Sequence, residues 1–186
     1  MLYTHDEITT EKTVDINNYP VTVAEAKRHC HVDKEWVDED DYIDQLIRSC
    51  TREAEEFIGK DIAYTLNEIN LYDFAGSELE IWEGNFNTLV SIVDDTSTLI
   101  TPYRTFPYYN KVHFILSETA TYTSDPLTVK FYTGWQQPYC PENIKLAILL
   151  RVKDYFDVRR SSETSFQIYN TQAFERLLAP FRNSRP

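Results

Sequence analysis

Glycine is scarce in this chain, at 4 of 186 residues, and cysteine scarcer still, at 3. So few glycines leave little room for phosphate-cradling loops, and no Walker A, G-x-G-x-x-G or G-x-S-x-G sequence occurs. That removes the common nucleotide-binding and serine-hydrolase frames. The cysteines (Cys30, Cys50, Cys140) are odd in number and widely spaced. They fit reduced cytoplasmic thiols better than a disulfide framework. No run approaches the ~18 apolar residues of a membrane span, and no basic n-region with an apolar core opens the chain, so no secretory signal is expected. Positive charge is also short: 18 Lys and Arg face 30 Asp and Glu, for a net charge of −12. A general nucleic-acid binder would need a basic patch. DNA passing close by without being gripped is compatible with such a surface, because like charges repel.

What is present is enough apolar surface for a packed domain: 42% hydrophobic and 14% aromatic residues in 186. The most informative stretch is 141–160, PENIKLAILLRVKDYFDVRR. Steps of about 100° per residue put Ile144, Ala147, Ile148, Val152, Tyr155 and Val158 on one broad face. Leu146, Leu149, Leu150 and Phe156 fall on the far side among charged residues. A surface helix of a monomer usually carries a single apolar stripe. A helix apolar on two sides is either central in its domain or covered by a second subunit. Arg151 lies within the main apolar face, where an arginine needs a carboxylate or helix-end carbonyls.

Residues 1–19 are polar and read as an arm or a short edge strand. Thr22 and Glu25 form a capping-box pattern opening a short helix to about Cys30. An acidic loop, 33–41, ends in Asp38-Glu-Asp-Asp41 at the mouth of a second helix, where the macrodipole favours acids. In that helix Ile43, Leu46, Ile47, Cys50, Ala54, Phe57 and Ile58 keep helical spacing, and Gly59 supplies the C-cap. From 62 to 133 the period is two, predicting strands over 64–72, 78–82, 90–93, 98–100, 111–116 and 127–132. Asp94-Asp95 and Ser124-Asp125-Pro126 read as turns. Pro141 suits the first position of the long helix. A Ser-rich loop (Ser161, Ser162, Ser165) then leads to a short helix over 171–178, stopped by Pro180 and followed by a basic tail (Arg182, Arg185).

Few residues suggest chemistry. His29, Cys30, His31 and Asp33 are ligand types, but His29 and His31 point about 200° apart on a helix and no second cluster completes a zinc pattern. A frayed helix end with solvated histidines is the plainer reading. A small metal-dependent hydrolase using His29, His31 and acidic neighbours is the alternative function. Asp38–Asp41 lacks the grammar of a Ca²⁺ loop and reads as a solvated cap. Glu53 and Glu56 share an exposed face with no apolar pocket to shift a pKa; with Glu55 they suit solubility or docking to a basic neighbour. Tyr103, Phe106, Tyr108, Tyr109 and Phe114 could stack bases, but with only Arg104 and Lys111 nearby, sheet packing or a subunit contact fits better.

Four stretches together resemble the gp6-like head–tail connector (adaptor) proteins of tailed bacteriophages. They are Val21-Thr-Val-Ala-Glu-Ala-Lys-Arg-His-Cys-His-Val-Asp33, the segment from Asp40-Asp-Tyr-Ile-Asp-Gln-Leu-Ile to Glu53-Ala-Glu-Glu-Phe-Ile-Gly59, Leu127-Thr-Val-Lys-Phe-Tyr-Thr-Gly-Trp135 leading into Pro141-Glu-Asn-Ile-Lys-Leu-Ala, and Leu177-Leu-Ala-Pro-Phe-Arg182. They span about residues 20–182. Cys30 and His31 depart from the family's usual Leu-Arg, Lys60 stands where Arg is common, and 83–125 follow the pattern loosely.

The resemblance implies an α+β, mainly α fold: a bundle of about four helices with a β-rich insertion between the second and third long helices. It implies an N-terminal arm (1–19), one connector domain (20–182, with helices at 20–60 and 136–182 around the 61–135 insertion) and a tail (183–186). It also implies a structural, non-enzymatic virion protein of the neck, assembled in the host cytoplasm. Copies would form a ring, a dodecamer in the mature neck, between the portal and the next neck or tail-completion protein, with phage DNA passing through unread. No cofactor, metal or membrane is expected. The candidate portal or ring interface is Phe174, Leu177, Leu178, Phe181 and Arg182 with Leu146, Leu149, Leu150 and Phe156. Another neck or tail-completion protein at a different ring position is a third possibility.

Overall fold

A computed structural model describes residues 8–72, 78–81, 85–100, 103–108, 111–116, 126–160 and 171–182. The chain divides into two compact units, one from Met1–Asp15 and Tyr64–Gly134, the other from Ile16–Ala63 and Trp135–Pro186. The fold is α+β.

The second unit is helical: α1 (Val23–His29), α2 (Asp40–Ile58), α3 (Glu142–Arg160) and α4 (Thr171–Leu178), with short 3₁₀ turns between and after them. α1 starts with the expected capping box: Glu25 N–H donates to Thr22 Oγ1 at 3.2 Å, and Thr22 N–H donates to Glu25 Oε2 at 2.8 Å. Burial raises the Glu25 carboxyl, but the Thr22 backbone and hydroxyl donors outweigh it and hold the group below its usual range. Asp40 and Asp41 sit in the first turn of α2, worth roughly 0.3–1 kcal/mol each against the macrodipole. α2 ends where Gly59 turns left-handed at φ 69°, a conformation that costs a Cβ-bearing residue about 1 kcal/mol.

Ile43, Ile47, Cys50, Ala54 and Ile58 of α2 pack with Ile144, Ala147, Ile148, Val152 and Phe156 of α3, joined by Phe174 and Leu178 of α4. Each fully buried large apolar side chain stabilises by roughly 1.5–3 kcal/mol. The apolar residues of α3 are spread round its circumference far more evenly than those of α2. The reason is that α3 meets α1, α2 and α4 together. Two residues depart from the expected faces. Phe156, expected on the far side, is 1% exposed, while Val158, expected on the core face, is exposed. Among the described residues no helix is long and apolar enough to cross a membrane.

The first unit holds two antiparallel sheets. One has the order β1 (Ile8–Val14), β2 (Thr65–Leu71), β7 (Leu127–Thr133), β4 (Phe86–Val93). The other runs β3 (Glu78–Ile81), β6 (Lys111–Leu116), β5 (Tyr103–Tyr108). Of the segment read as an arm or edge strand, residues 8–14 form the edge strand β1, paired with β2 from Ile8↔Leu71 to Val14↔Thr65. β2 and β7 alternate buried and half-buried residues in step. On their half-buried face the opposed pairs interact: Lys130 Nζ meets Glu68 at 2.8 Å, and the Thr128 hydroxyl donates to Asn70 at 2.7 Å.

Residues 98–100, expected as a strand, make only the single bridge Val93↔Leu99. A side chain commits them to a turn instead: Asp94 Oδ1 accepts from Thr98 N–H at 2.8 Å and from the Thr96 hydroxyl at 2.7 Å. β5 was not among the expected strands. Its Pro107 argues against a strand but is tolerated there because β5 is an edge. Tyr109, Trp82, Ser124, Asp125, the Ser161–Ser165 loop and Arg185 lie outside the described residues.

Candidate functional site

The α2–α3–α4 face is knitted by one polar cluster. Arg151, one turn from Ile148 on α3, donates from Nε to Glu53 Oε1 and Oε2 at 2.9 and 3.0 Å, and from Nη2 to Oε1. The Tyr155 hydroxyl donates to Glu53 Oε2 at 3.2 Å. The guanidinium also lies over the rings of Phe174 (5.2 Å) and Tyr155 (5.3 Å), so α4 is drawn into the same cluster. The Glu53 hydrogen bonds raise the Arg151 pKa, and burial, followed by the Glu53 charge, raises that of Tyr155. The carboxylate expected for Arg151 is therefore Glu53. Nor is Glu55 a surface group for a basic neighbour: its Oε1 accepts from Ile62 and Ala63 N–H at 2.8 and 2.9 Å, securing the exit from α2. These carboxylates are engaged in structural hydrogen bonds.

The nine candidate interface residues separate into two groups. Phe174, Leu178 and Phe156 are buried in the helical core. Phe174 stands edge-on to Phe57 at 6.0 Å, and Phe156 packs near Tyr42 at 6.3 Å. Leu177, Phe181 and Leu149 are half-buried against that core, and Leu150 is half-buried. Leu146 is 42% exposed, and Arg182 is exposed with its guanidinium 5.6 Å from the Phe57 ring. The candidates that keep surface exposed or half-exposed are Leu146, Leu149, Leu150, Leu177, Phe181 and Arg182.

At the other end of α2 the acidic loop has more structure than its sequence suggested. Lys27 of α1 is buried, donating to the carbonyls of Lys34 (3.0 Å) and Trp36 (2.9 Å) and pairing with Asp40 at 2.7 Å. Arg159, near the end of α3, pairs with Glu39 at 2.6 Å and stacks over Tyr42 at 4.1 Å. Between these two anchors Trp36 and Val37 stand 41% and 65% exposed.

The histidine cluster does not converge. Cys30 is buried, His31 is exposed and takes a left-handed φ of 56°, and His29 Nε2 is buried with no hydrogen-bond partner. Burial, then Lys153 and His31, lowers the His29 pKa. Among the described residues no group of three or more His, Cys, Asp or Glu is placed to hold a metal. All three cysteines are buried free thiols, and burial raises Cys30 to about 11 and Cys50 and Cys140 to about 12. At neutral pH they are protonated and poor nucleophiles.

Residues 20–104 match the family model of the phage gp6-like head-tail connector protein. Over this stretch the chain is similar to that family. The fold is shared with solved particle components at low identity. A chain in the neck of an empty GTA particle computed with C6 symmetry matches with TM-score 0.76 and 14% identity, over 96% of this chain and 97% of that one. A chain in the neck of the native GTA particle computed with C12 symmetry matches with TM-score 0.71 and 14% identity, over 96% of each. One in the virion of the native gene transfer agent particle gives 0.69 and 15%, again over 96% of each. No curated protein matches.

In this chain, the residues that sequence reasoning passed over are Lys27, Trp36, Val37 and Arg159. The available signal was the Trp-Val pair, two apolar residues inside an otherwise charged loop.

Proposed function

We propose that this connector is a structural, non-enzymatic component of the virion neck. Copies assemble as a homo-oligomeric ring, a dodecamer, between the portal and the next neck or tail protein. The ring extends the channel through which phage DNA passes. The observation that carries this reading is the family match over residues 20–104, joined by the likeness to particle-neck chains over nearly the whole length. Two further features support it. The acidic surface, net −12, suits a conduit DNA must traverse without sticking. The chemically idle carboxylates and thiols suit a structural part. Residues 20–182 act as one connector domain, carrying the sheet-rich stretch as an insertion between α2 and α3. Leu177, Phe181 and Arg182 meet the portal or a neighbouring copy, and Leu146, Leu149 and Leu150 add to the contact.

Mass photometry and sedimentation velocity of the full chain, alone and with purified portal rings, test the proposal. Discrete closed rings, or saturable binding to portal, are the expected result. A chain that stays monomeric at high concentration and ignores portal rings sinks it.

A further inference from the structure

The ring reading leaves open which surfaces meet, and this inference rests on that reading. We propose that the Trp36–Val37 knob of one copy docks on the basic C-terminal face of the next, around Arg176, Leu177 and Arg182, so that subunits join head to tail along α2.

The knob is exposed but ordered. Its backbone is fixed from inside by the Lys27 ammonium on the Lys34 and Trp36 carbonyls, and the Trp36 indole N–H donates to Asp38 at 3.3 Å. Asp33 accepts from the Glu35 N–H at 3.0 Å, closing the turn that leads into it. A tryptophan held in place this way loses little freedom on binding, and tryptophans are frequent interface anchors. Exposed Val158 adds apolar surface at the same end of α3, next to the Arg159–Glu39 pair.

Charge then selects the occupant. Asp33, Glu35, Asp38 and Asp41 are exposed around the knob; of the exposed bases there, Arg159 is paired with Glu39, which leaves Lys34. The matching surface is basic and apolar: Arg176 and Arg182 are exposed beside half-buried Leu177 and Phe181, and of the exposed acids described nearby Glu56 is paired with Arg52, which leaves Glu175. The two patches cannot meet within one subunit. The knob adjoins the first residue of α2 through the Lys27–Asp40 pair, whereas Arg182 lies over Phe57 at the far end of that 19-residue helix. At 1.5 Å per residue they are roughly 25 Å apart. Two different complementary patches on one chain make a heterologous interface, the kind that closes into rings.

The test uses the full chain by mass photometry, with thermal melts to verify folding. Asp38→Arg and Arg182→Glu each reverse a charge on an exposed side chain, and Trp36→Ala removes the anchor. Each is expected to raise the concentration needed for half-assembly at least about tenfold. Asp38→Arg combined with Arg182→Glu re-pairs the charges and is expected to recover most of that loss. If the unmodified chain forms rings and all three single variants assemble equally well, the docking proposal is overturned while the ring stands. Variants that form normal rings but lose portal binding overturn it too, assigning these surfaces to the portal. If the unmodified chain never assembles, with or without portal, the ring reading and the docking proposal fall together.

Discussion

Arg151 offers the sharpest energetic test of the helical unit. Its side chain is 12% exposed and that of Glu53 32%, so the pair is neither a surface ion pair of under about 1 kcal/mol nor a fully buried one, whose rupture costs about 3–5 kcal/mol. Arg151→Met keeps the aliphatic stem but removes the two-point contact with Glu53 and the cation over Phe174 and Tyr155. It leaves Glu53 with only the Tyr155 hydroxyl among its cluster donors. Charged hydrogen bonds contribute about 1.5–3 kcal/mol and a part-buried cation–π contact about 1 kcal/mol. We expect a loss of about 2–3 kcal/mol, discounted for the exposure of Glu53. Glu53→Gln retains one acceptor and should lose about 1–2 kcal/mol. With both partners changed, no charge is left unpaired, so the double variant should be less destabilised than the sum by about 1–2 kcal/mol. Urea unfolding of the four chains at one protein concentration, below that of assembly, measures the cycle. A coupling energy under about 0.3 kcal/mol would show that the cluster does not act as a unit and would refute the reasoning.

Phe156→Ala should destabilise by about 3–5 kcal/mol, as for an enclosed aromatic, whereas Leu146→Ala, half out in solvent, should leave the melting temperature nearly unchanged and weaken assembly instead. Lys27→Met should cost about 2–3 kcal/mol by stranding two carbonyls and the Asp40 carboxylate, and should raise amide exchange over 33–39. The buried thiols set an alkaline limit. Their folded pKa values, about 11 to 12, exceed the ordinary 9.0, so the native state keeps its protons while the unfolded chain ionises. Stability is complete below pH 9 and falls as pH rises from there towards 12. Each thiol accounts for about 1.4 kcal/mol by pH 10, read from urea midpoints at pH 7, 8.5 and 10. Ellman's reagent at pH 8 should label none of the three without denaturant.

The sequence was most readable where local rules and burial agree. α2 kept its apolar spacing because one stripe faces one core, and its glycine stop lies where the helix turns left-handed. α4 has the expected bounds. α3 was harder because three helices pack round it. A ring such as Phe156, only about 40° from Val152 by helical geometry, is then drawn inside, while Val158 near the end of the helix is left out. The wheel records angle but not where along the axis a neighbour stops. The candidate interface suffered for the same reason, since an amphipathic segment shows its apolar residues without saying whether its own domain has claimed them. Phe174 and Leu178 were claimed; Leu177, Phe181 and Arg182 less so. Lys27 could not be read at all. Its acceptors are backbone carbonyls seven and nine residues on, brought round by a loop that includes left-handed His31.

The chain leaves the helical unit just after Ile62 and re-enters it at Trp135, and Trp135 N–H donates to Ile62 O at 3.0 Å. Exit and return are thus side by side, with Glu55 accepting from the backbone N–H groups of Ile62 and Ala63 at the exit. To the helices, everything between is a closed loop of arbitrary length, and loop-closure entropy grows only with the logarithm of that length. The sheet-rich stretch is in this sense an exchangeable cassette. Replacing residues 64–134 by a tight turn, with the N-terminal strand paired to them removed as well, is expected to leave the helical core folded, as a thermal melt of such a variant would show.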